Sequence, residues 1–202
     1  MKLFNGSNKV QFLSAVMLTV MLNVSAQETV YTLLPSDDGY VTQSGATSDD
    51  GYLLVGENGW QGIAKFQLPS IQGTIIQALF ELNPYGLPLW GNPVDVYGYG
   101  TQSGLLEASD YDAGNYLGSW TLPNLNFGQE AFFDVTSLFS TLNAPYAAFN
   151  LRSGGGDIFS SLNKNYGTPD ELIITTVVPE PASLSLLAFG VFGMTLLRRR
   201  QR

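Results

Sequence analysis

The chain holds one short internal repeat, Ser36-Asp37-Asp38-Gly39-Tyr40, which recurs as Ser48-Asp49-Asp50-Gly51-Tyr52. Loop carboxylates, with carbonyl oxygens, are what Ca²⁺ takes as ligands, so Asp37, Asp38, Asp49 and Asp50 are candidates to hold structural calcium. The spacing does not make an EF-hand, because ligands at positions 5 and 12 of that loop are missing. Asp and Gly are also what tight turns demand, so two Asp-Gly turns feeding two strands is the simpler expectation. A second group is cationic: Lys65, Arg152 and Lys164. Together they could grip a uronic-acid carboxylate, with Arg152 suited to bidentate contact. Taken singly, each would pair with a nearby carboxylate at the surface, for little energy. A third group is aromatic: Trp60, Trp90 and Tyr111, with Tyr85, Tyr116, Trp120 and Tyr166. Exposed rings offer flat faces on which sugars stack. Burial is the expectation for most of them, and Trp60 and Trp90, near Gly and Pro, are the ones expected outside.

Residues that are missing narrow the chemistry further. The chain has no Cys and no His. That removes disulfides, thiolate and imidazole metal sites, Cys nucleophiles and Ser-His-Asp triads. A glycosidase needs only two carboxylates, about 5 Å or about 6.5–9.5 Å apart. Glu107, Asp110, Asp112, Asp134 or Asp157 could supply them, so a polysaccharide hydrolase or lyase is the enzyme alternative. There is no nucleophile elbow, phosphate-cradling loop or zinc signature. Gly154-Gly155-Gly156 has no following helix signal and no nearby Lys-Ser/Thr pair, so it reads as a turn. The balance favours a protein that is not an enzyme.

These groups must be positioned by strands. Of 202 residues 45% are apolar and only 13% charged, with 22 Gly and 10 Pro, against roughly 25% charged in an average soluble domain. Such a composition argues against disorder and against a helical bundle. In Thr74 to Leu82, Ile76, Ala78, Phe80 and Leu82 fall on one face, and Ile75, Gln77, Leu79 and Glu81 on the other. Val94 to Tyr97 alternates too, as does Tyr146 to Arg152 with Ala147, Phe149 and Leu151 inward. Glu171 to Val177 is a β-branched closing strand. Further strands are expected at Thr29 to Leu34, Tyr40 to Thr42, Tyr52 to Val55, Gly62 to Leu68, Ala131 to Val135 and Asp157 to Ser161. Ten short strands between Gly, Pro, Asn and Asp clusters predict an all-β, antiparallel, jelly-roll-like β-sandwich. Thr136 to Leu142 is the one short helix expected, capped by Thr136 or Ser137. Gly100 to Phe127 is expected to be surface loops.

The two ends have a different grammar. Lys2 and Lys9, the apolar Phe12 to Leu22 and the small Val24-Ser25-Ala26 make a secretory signal peptide over 1–26, cut after Ala26. Its partners would be the Sec translocon and signal peptidase. At the other end Pro179-Glu180-Pro181 precedes an uncharged segment from Ala182 to Leu197, then Arg198-Arg199-Arg200-Gln201-Arg202. As a helix, Pro181 to Leu197 would be about 25 Å long, at the lower limit for a membrane span. The arginines, including Arg202, would stop it at the cytoplasmic side, leaving everything before Pro179 outside. Val178-Pro179-Glu180-Pro181-Ala182-Ser183, the apolar segment and the closing arginines together resemble the PEP-CTERM sorting signal of Gram-negative bacteria. The resemblance implies that an exosortase reads Pro179, Glu180 and Pro181. It also implies a membrane-anchored intermediate in the inner membrane, then the cell surface or extracellular matrix, in exopolysaccharide-producing, biofilm-forming cells.

Between the two ends, 27–176 form the expected domain. From Glu28 to Val178 there are sixteen acidic and three basic residues, a net charge of −13, against −8 for the whole chain. Such a surface repels nucleic acid and anionic lipid, so no nucleic-acid partner is expected. Asp38 to Val41, Ile63-Ala64-Lys65-Phe66-Gln67-Leu68, Phe133-Asp134-Val135-Thr136-Ser137-Leu138, Phe149 to Ser153 and Phe159-Ser160-Ser161 stand in order through this domain. In that order they resemble the secreted β-sandwich called the DNRLRE domain, which is related to carbohydrate-binding modules. The chain departs from that pattern at Gln67, at Leu162-Asn163, and at Ser109 to Gly114, where a Trp-rich segment is usual. The resemblance implies association with extracellular polysaccharide through a carbohydrate-binding-like sandwich. The alternative is a structural or adhesion surface protein without a small ligand.

Overall fold

The period-2 patterning carries through into sheets whose apolar faces meet. The computed structural model describes residues 26–48, 52–56, 59–83, 93–120, 130–153, 157–160 and 169–178. Thr29–Thr176 make one unit by their contacts. Four strands, β1 (Gln27–Leu33), β12 (Glu171–Val178), β6 (Thr74–Leu82) and β9 (Ala131–Asp134), form one sheet in that order. Six form the second, in the order β3 (Thr47–Ser48), β2 (Asp37–Thr42), β5 (Trp60–Gln67), β10 (Tyr146–Ser153), β7 (Val94–Thr101) and β8 (Asn115–Trp120). Every pairing in this second sheet is antiparallel. A third, two-stranded sheet pairs β11 (Asp157–Ser160) with β4 (Tyr52–Val55). The result is an antiparallel β-sandwich.

Between the two large sheets lies an aromatic core. Phe80 of β6 stacks on Phe149 of β10, with centroids 4.6 Å apart and planes at 15°. Phe66 of β5 stands edge-on to both, at 5.8 and 5.9 Å. Around them Ala78, Leu82, Val94, Val96, Leu151, Leu172 and Ile174 are fully buried. Aromatic pairs in these geometries add about 0.5–1.5 kcal/mol each beyond the area they bury. Two glycines allow close approach, one of a neighbouring backbone and one of a core side chain. A Cβ on Gly39 would lie 2.1 Å from the Ser48 carbonyl oxygen, and one on Gly62 would lie 2.3 Å from Leu53.

Several expectations need correction. Asp37, Asp38 and Gly39 are part of β2 itself, paired with Lys65, Ala64 and Ile63, so the first Asp-Asp-Gly copy is strand and not turn. The second copy, with Asp49 and Asp50, lies outside the described residues. Ile76 is exposed although its parity matches Ala78 and Phe80, while Ile75, of the other parity, packs against the core. Gly100 to Phe127 is not all loop: β7 runs through Thr101, and Asn115–Trp120 is a full strand. The helix is one turn, α1 (Thr136–Phe139), with Val135 at its N-cap. Its start is held instead by Asp134, whose Oδ1 accepts from Thr136 N at 2.9 Å.

The far ends of β6 and β12 are tied by polar groups. Asn83 N donates to Asp170 Oδ1 at 3.0 Å, and Asn83 Nδ2 donates to Pro169 O at 3.0 Å and Glu81 Oε1 at 3.2 Å. Burial pushes the Glu81 carboxyl up, and the nearby charges of Glu130 and Glu171 add to the shift, while the Asn83 hydrogen bond opposes it. The signal-peptide segment, the apolar segment after Pro181, Pro179-Glu180-Pro181 and the arginine cluster lie outside the described residues. Among the described residues, no helix is long and apolar enough to cross a membrane.

Candidate functional site

The outward face of the six-stranded sheet carries the polar residues that alternate with the core. Antiparallel register lines them up across the strands. Asp37, Lys65, Ala148 and Tyr99 form one row, Gly39, Ile63, Asn150, Tyr97 and Tyr116 the next, and Arg152, Asp95 and Ser119 a third. The segment from 102 to 114, with a single 3-10 turn at Ala108–Asp110, packs against this face as a strap.

Polar contacts fasten the strap. Lys65 is fully buried, and its Nζ lies 2.8 Å from Asp110 Oδ2 and donates to Leu105 O at 2.5 Å. Tyr99 OH donates to Asp110 Oδ1 at 2.7 Å, and Glu107 N to Asp110 Oδ2 at 2.7 Å. Burial, followed by the bond to the Asp110 carboxylate, raises the Tyr99 phenol far above its ordinary value, so it stays a donor. Asn150 Nδ2 donates to Gln61 Oε1 at 2.7 Å and to Asp110 O at 2.9 Å. Gln61 and Asp112 bond reciprocally, Nε2 to Oδ1 at 2.7 Å and backbone N to Oε1 at 2.8 Å. That pair holds Asp112 at φ 58, a left-handed conformation that Asp tolerates better than most residues. Asp37 Oδ2 accepts from Leu106 N at 2.6 Å, closing the other side.

Beside the strap the face opens into a strip of rings and hydroxyls. Arg152 lies over the Tyr97 ring at 3.7 Å, and its Nη2 donates to Ala113 O at 2.9 Å, its Nε to Asn150 Oδ1 at 3.2 Å. Its Nη1 is 3.5 Å from the exposed Asp112 carboxylate. Tyr97 meets Tyr116 edge-on, with centroids 5.5 Å apart. A register shift between Val96 and Tyr97 makes β8 bulge, since Gly118 pairs with Val96 and Tyr116 with Tyr97. The extra residue, Leu117, packs against the core, while Tyr116 and Ser119, three apart, both lie on the outer face with their hydroxyls 2.8 Å apart. Ser119 in turn donates to Asp95. Bulges re-aim side chains in this way near functional sites.

The candidates from sequence fall in different places. Lys65 is not at the surface, since Asp110 and the Leu105 carbonyl hold it inside. Arg152 is half-buried at the strip, and Lys164 and Trp90 lie outside the described residues. Trp60 is half-buried against Tyr40, 5.6 Å between centroids, and Tyr111 is half-buried on the strap. Asp37 is tied to the strap and Asp38 is fully buried. Among the described residues, no group of three or more acidic side chains is arranged to hold a metal ion. Sequence reasoning missed Asp95, Tyr97, Tyr99, Ser119, Gln61 and Asn150. The signal for three of them was present: in Val94 to Gly100 the small and apolar residues take one parity, leaving Asp95, Tyr97 and Tyr99 on the other.

The fold and this face define a β-sandwich with an aromatic, hydroxyl-bearing strip beside a strap held by polar contacts. The PEP-CTERM protein-sorting motif matches residues 177–201, so the chain is an exported protein sorted to the cell surface and processed by an exosortase. No curated protein matches the chain.

Proposed function

We propose that this surface protein is non-catalytic and associates with extracellular polysaccharide through its β-sandwich. It passes through an inner-membrane-anchored intermediate and ends in the matrix of a biofilm-forming, Gram-negative cell. The observation that carries this reading is the outer-face strip in which the exposed Tyr116 ring, braced by Tyr97, stands beside the Ser119 hydroxyl and the Asp95 carboxylate on paired strands. The non-catalytic part is supported by the carboxylates that could have formed a glycosidase pair: Asp110 is engaged by Lys65, Tyr99 and Glu107 N, and Asp134 by the start of α1. A structural or adhesion role without a small ligand is the second reading, favoured by exposed Val30 and Phe132 on the four-stranded sheet.

The test is the full chain in detergent micelles on an array of neutral and acidic polysaccharides, run with calcium and with chelator. Saturable binding to at least one polysaccharide is expected. Loss of binding in chelator would direct attention to Asp49 and Asp50 as calcium ligands. No binding in either condition would overturn the polysaccharide reading and leave the structural one.

A further inference from the structure

We infer that the strip on β7, β8 and β10 is a subsite for a neutral, hydroxyl-rich glycan, and not for a uronate or other anionic polymer. The inference rests on the polysaccharide-binding reading and adds the place and the ligand class.

The hydrogen-bond directions set the ligand's chemistry. Ser119 has a single hydroxyl proton and donates it to Asp95. The Tyr116 hydroxyl, 2.8 Å away, must therefore be the donor to Ser119. With both protons committed inward, the strip turns lone pairs outward: from the Tyr116 and Ser119 oxygens, and from the carboxylates of Asp95 and the exposed Asp112. A surface of acceptors calls for a ligand that supplies donors, and sugar hydroxyls do so without bringing charge. The ring of Tyr116, a residue 56% exposed and buttressed edge-on by Tyr97, supplies the flat face for one pyranose.

Charge excludes the anionic alternative. Arg152 is the cation at the strip, and its guanidinium is already shared among Asn150 Oδ1, Ala113 O, the Asp112 carboxylate and the Tyr97 ring. Lys65 is sealed beneath the strap. An incoming carboxylate would face Asp95 and Asp112 with no free cation among the described residues of this face to meet it, in a domain already at −13.

The experiment titrates the full chain in detergent micelles with laminarin, a neutral glucan, and with alginate, a polyuronate. Three variants accompany it: Tyr116→Ala, Ser119→Ala and, as a control on the opposite sheet, Gln77→Ala. Laminarin should bind and alginate should not. Tyr116→Ala should weaken laminarin at least about tenfold, the equivalent of roughly one good ring contact. Ser119→Ala should weaken it less, Gln77→Ala should leave it unchanged, and melting temperatures should show that the variants are folded. If Tyr116→Ala fails to fold, Ser119→Ala, at an exposed position, carries the test of place. Laminarin binding untouched by the folded strip variants would overturn the location while leaving a polysaccharide-binding module. Binding of alginate alone would overturn the ligand class while leaving the module. Binding of neither, with no other polysaccharide bound, would overturn both readings.

Discussion

At the scale of single residues, the ion pair under the strap illustrates how a polar group can sit in a protein interior. Lys65 and Asp110 have side chains 0% and 4% exposed. Desolvating either alone is costly, and their attraction plus three hydrogen bonds, to the Leu105 carbonyl and from Tyr99 OH and Glu107 N, offset that cost. Breaking the pair is therefore far more damaging than replacing it. Asp110→Asn, nearly isosteric, should lower stability by about 3–5 kcal/mol in urea melts, since it leaves a buried ammonium without its counter-charge. Adding Lys65→Met should return part of that loss. A double variant no more stable than Asp110→Asn alone would show that the charge pair is not what holds the strap.

Glu81 offers the opposite case, a carboxyl whose fold disfavours its ionised form. Burial raises its pKa above the ordinary range, with Glu130 and Glu171 contributing in the same direction. The native state then holds its proton to higher pH than the unfolded chain does, so stability falls as pH rises through the raised value. Glu81→Gln keeps the acceptor for Asn83 Nδ2 and removes the charge. Its melting temperature should exceed the wild-type value at pH 7 and approach it near pH 3, below the ordinary carboxylate range, where both states of the wild type are protonated. A difference that does not change with pH would assign the effect to packing.

At the scale of elements, the strands with strong alternation were legible and the ones built by partners were not. Thr74–Leu82 is a strand over the bounds read from its pattern, because one face must meet the core. Asn115–Trp120 reads as loop, since Asn-Tyr-Leu-Gly-Ser-Trp does not alternate. Its pairing with β7 accepts a bulge at Leu117, and a bulge shifts the period by one residue. The two residues of β3 carry no pattern at all and are strand only because β2 lies beside them. Asp-Asp-Gly after Ser36 obeyed its strand partner and not its turn propensity, as local preference yields to pairing when a glycine allows close approach. The candidate site was legible in part for the same reason. Arg152 and the aromatic character of the region could be read locally, but the inward donation of Ser119 and Tyr116 depends on a bulge that no local pattern announces.

At the scale of the whole molecule, export and recognition are separate functions of separate segments. The sorting motif at 177–201 governs where the protein goes, and the proposed recognition belongs to the sandwich. Replacing Pro179, Glu180 and Pro181 together with alanine in an exosortase-bearing host should leave the chain exported but unprocessed, retained in the membrane fraction. Surface delivery equal to that of the unaltered chain would show that those residues are not what the sorting enzyme reads. By itself the sequence determined the route and the all-β class, because both rest on contiguous signals: ordered terminal segments, and a two-residue period that must bury one face. Only the tertiary structure decided that Lys65 is an interior residue and that Tyr97, Tyr116, Ser119 and Asp95 share a surface. Those placements come from pairings between residues far apart in the chain, and from a strap whose polar groups find their partners on strands distant in sequence.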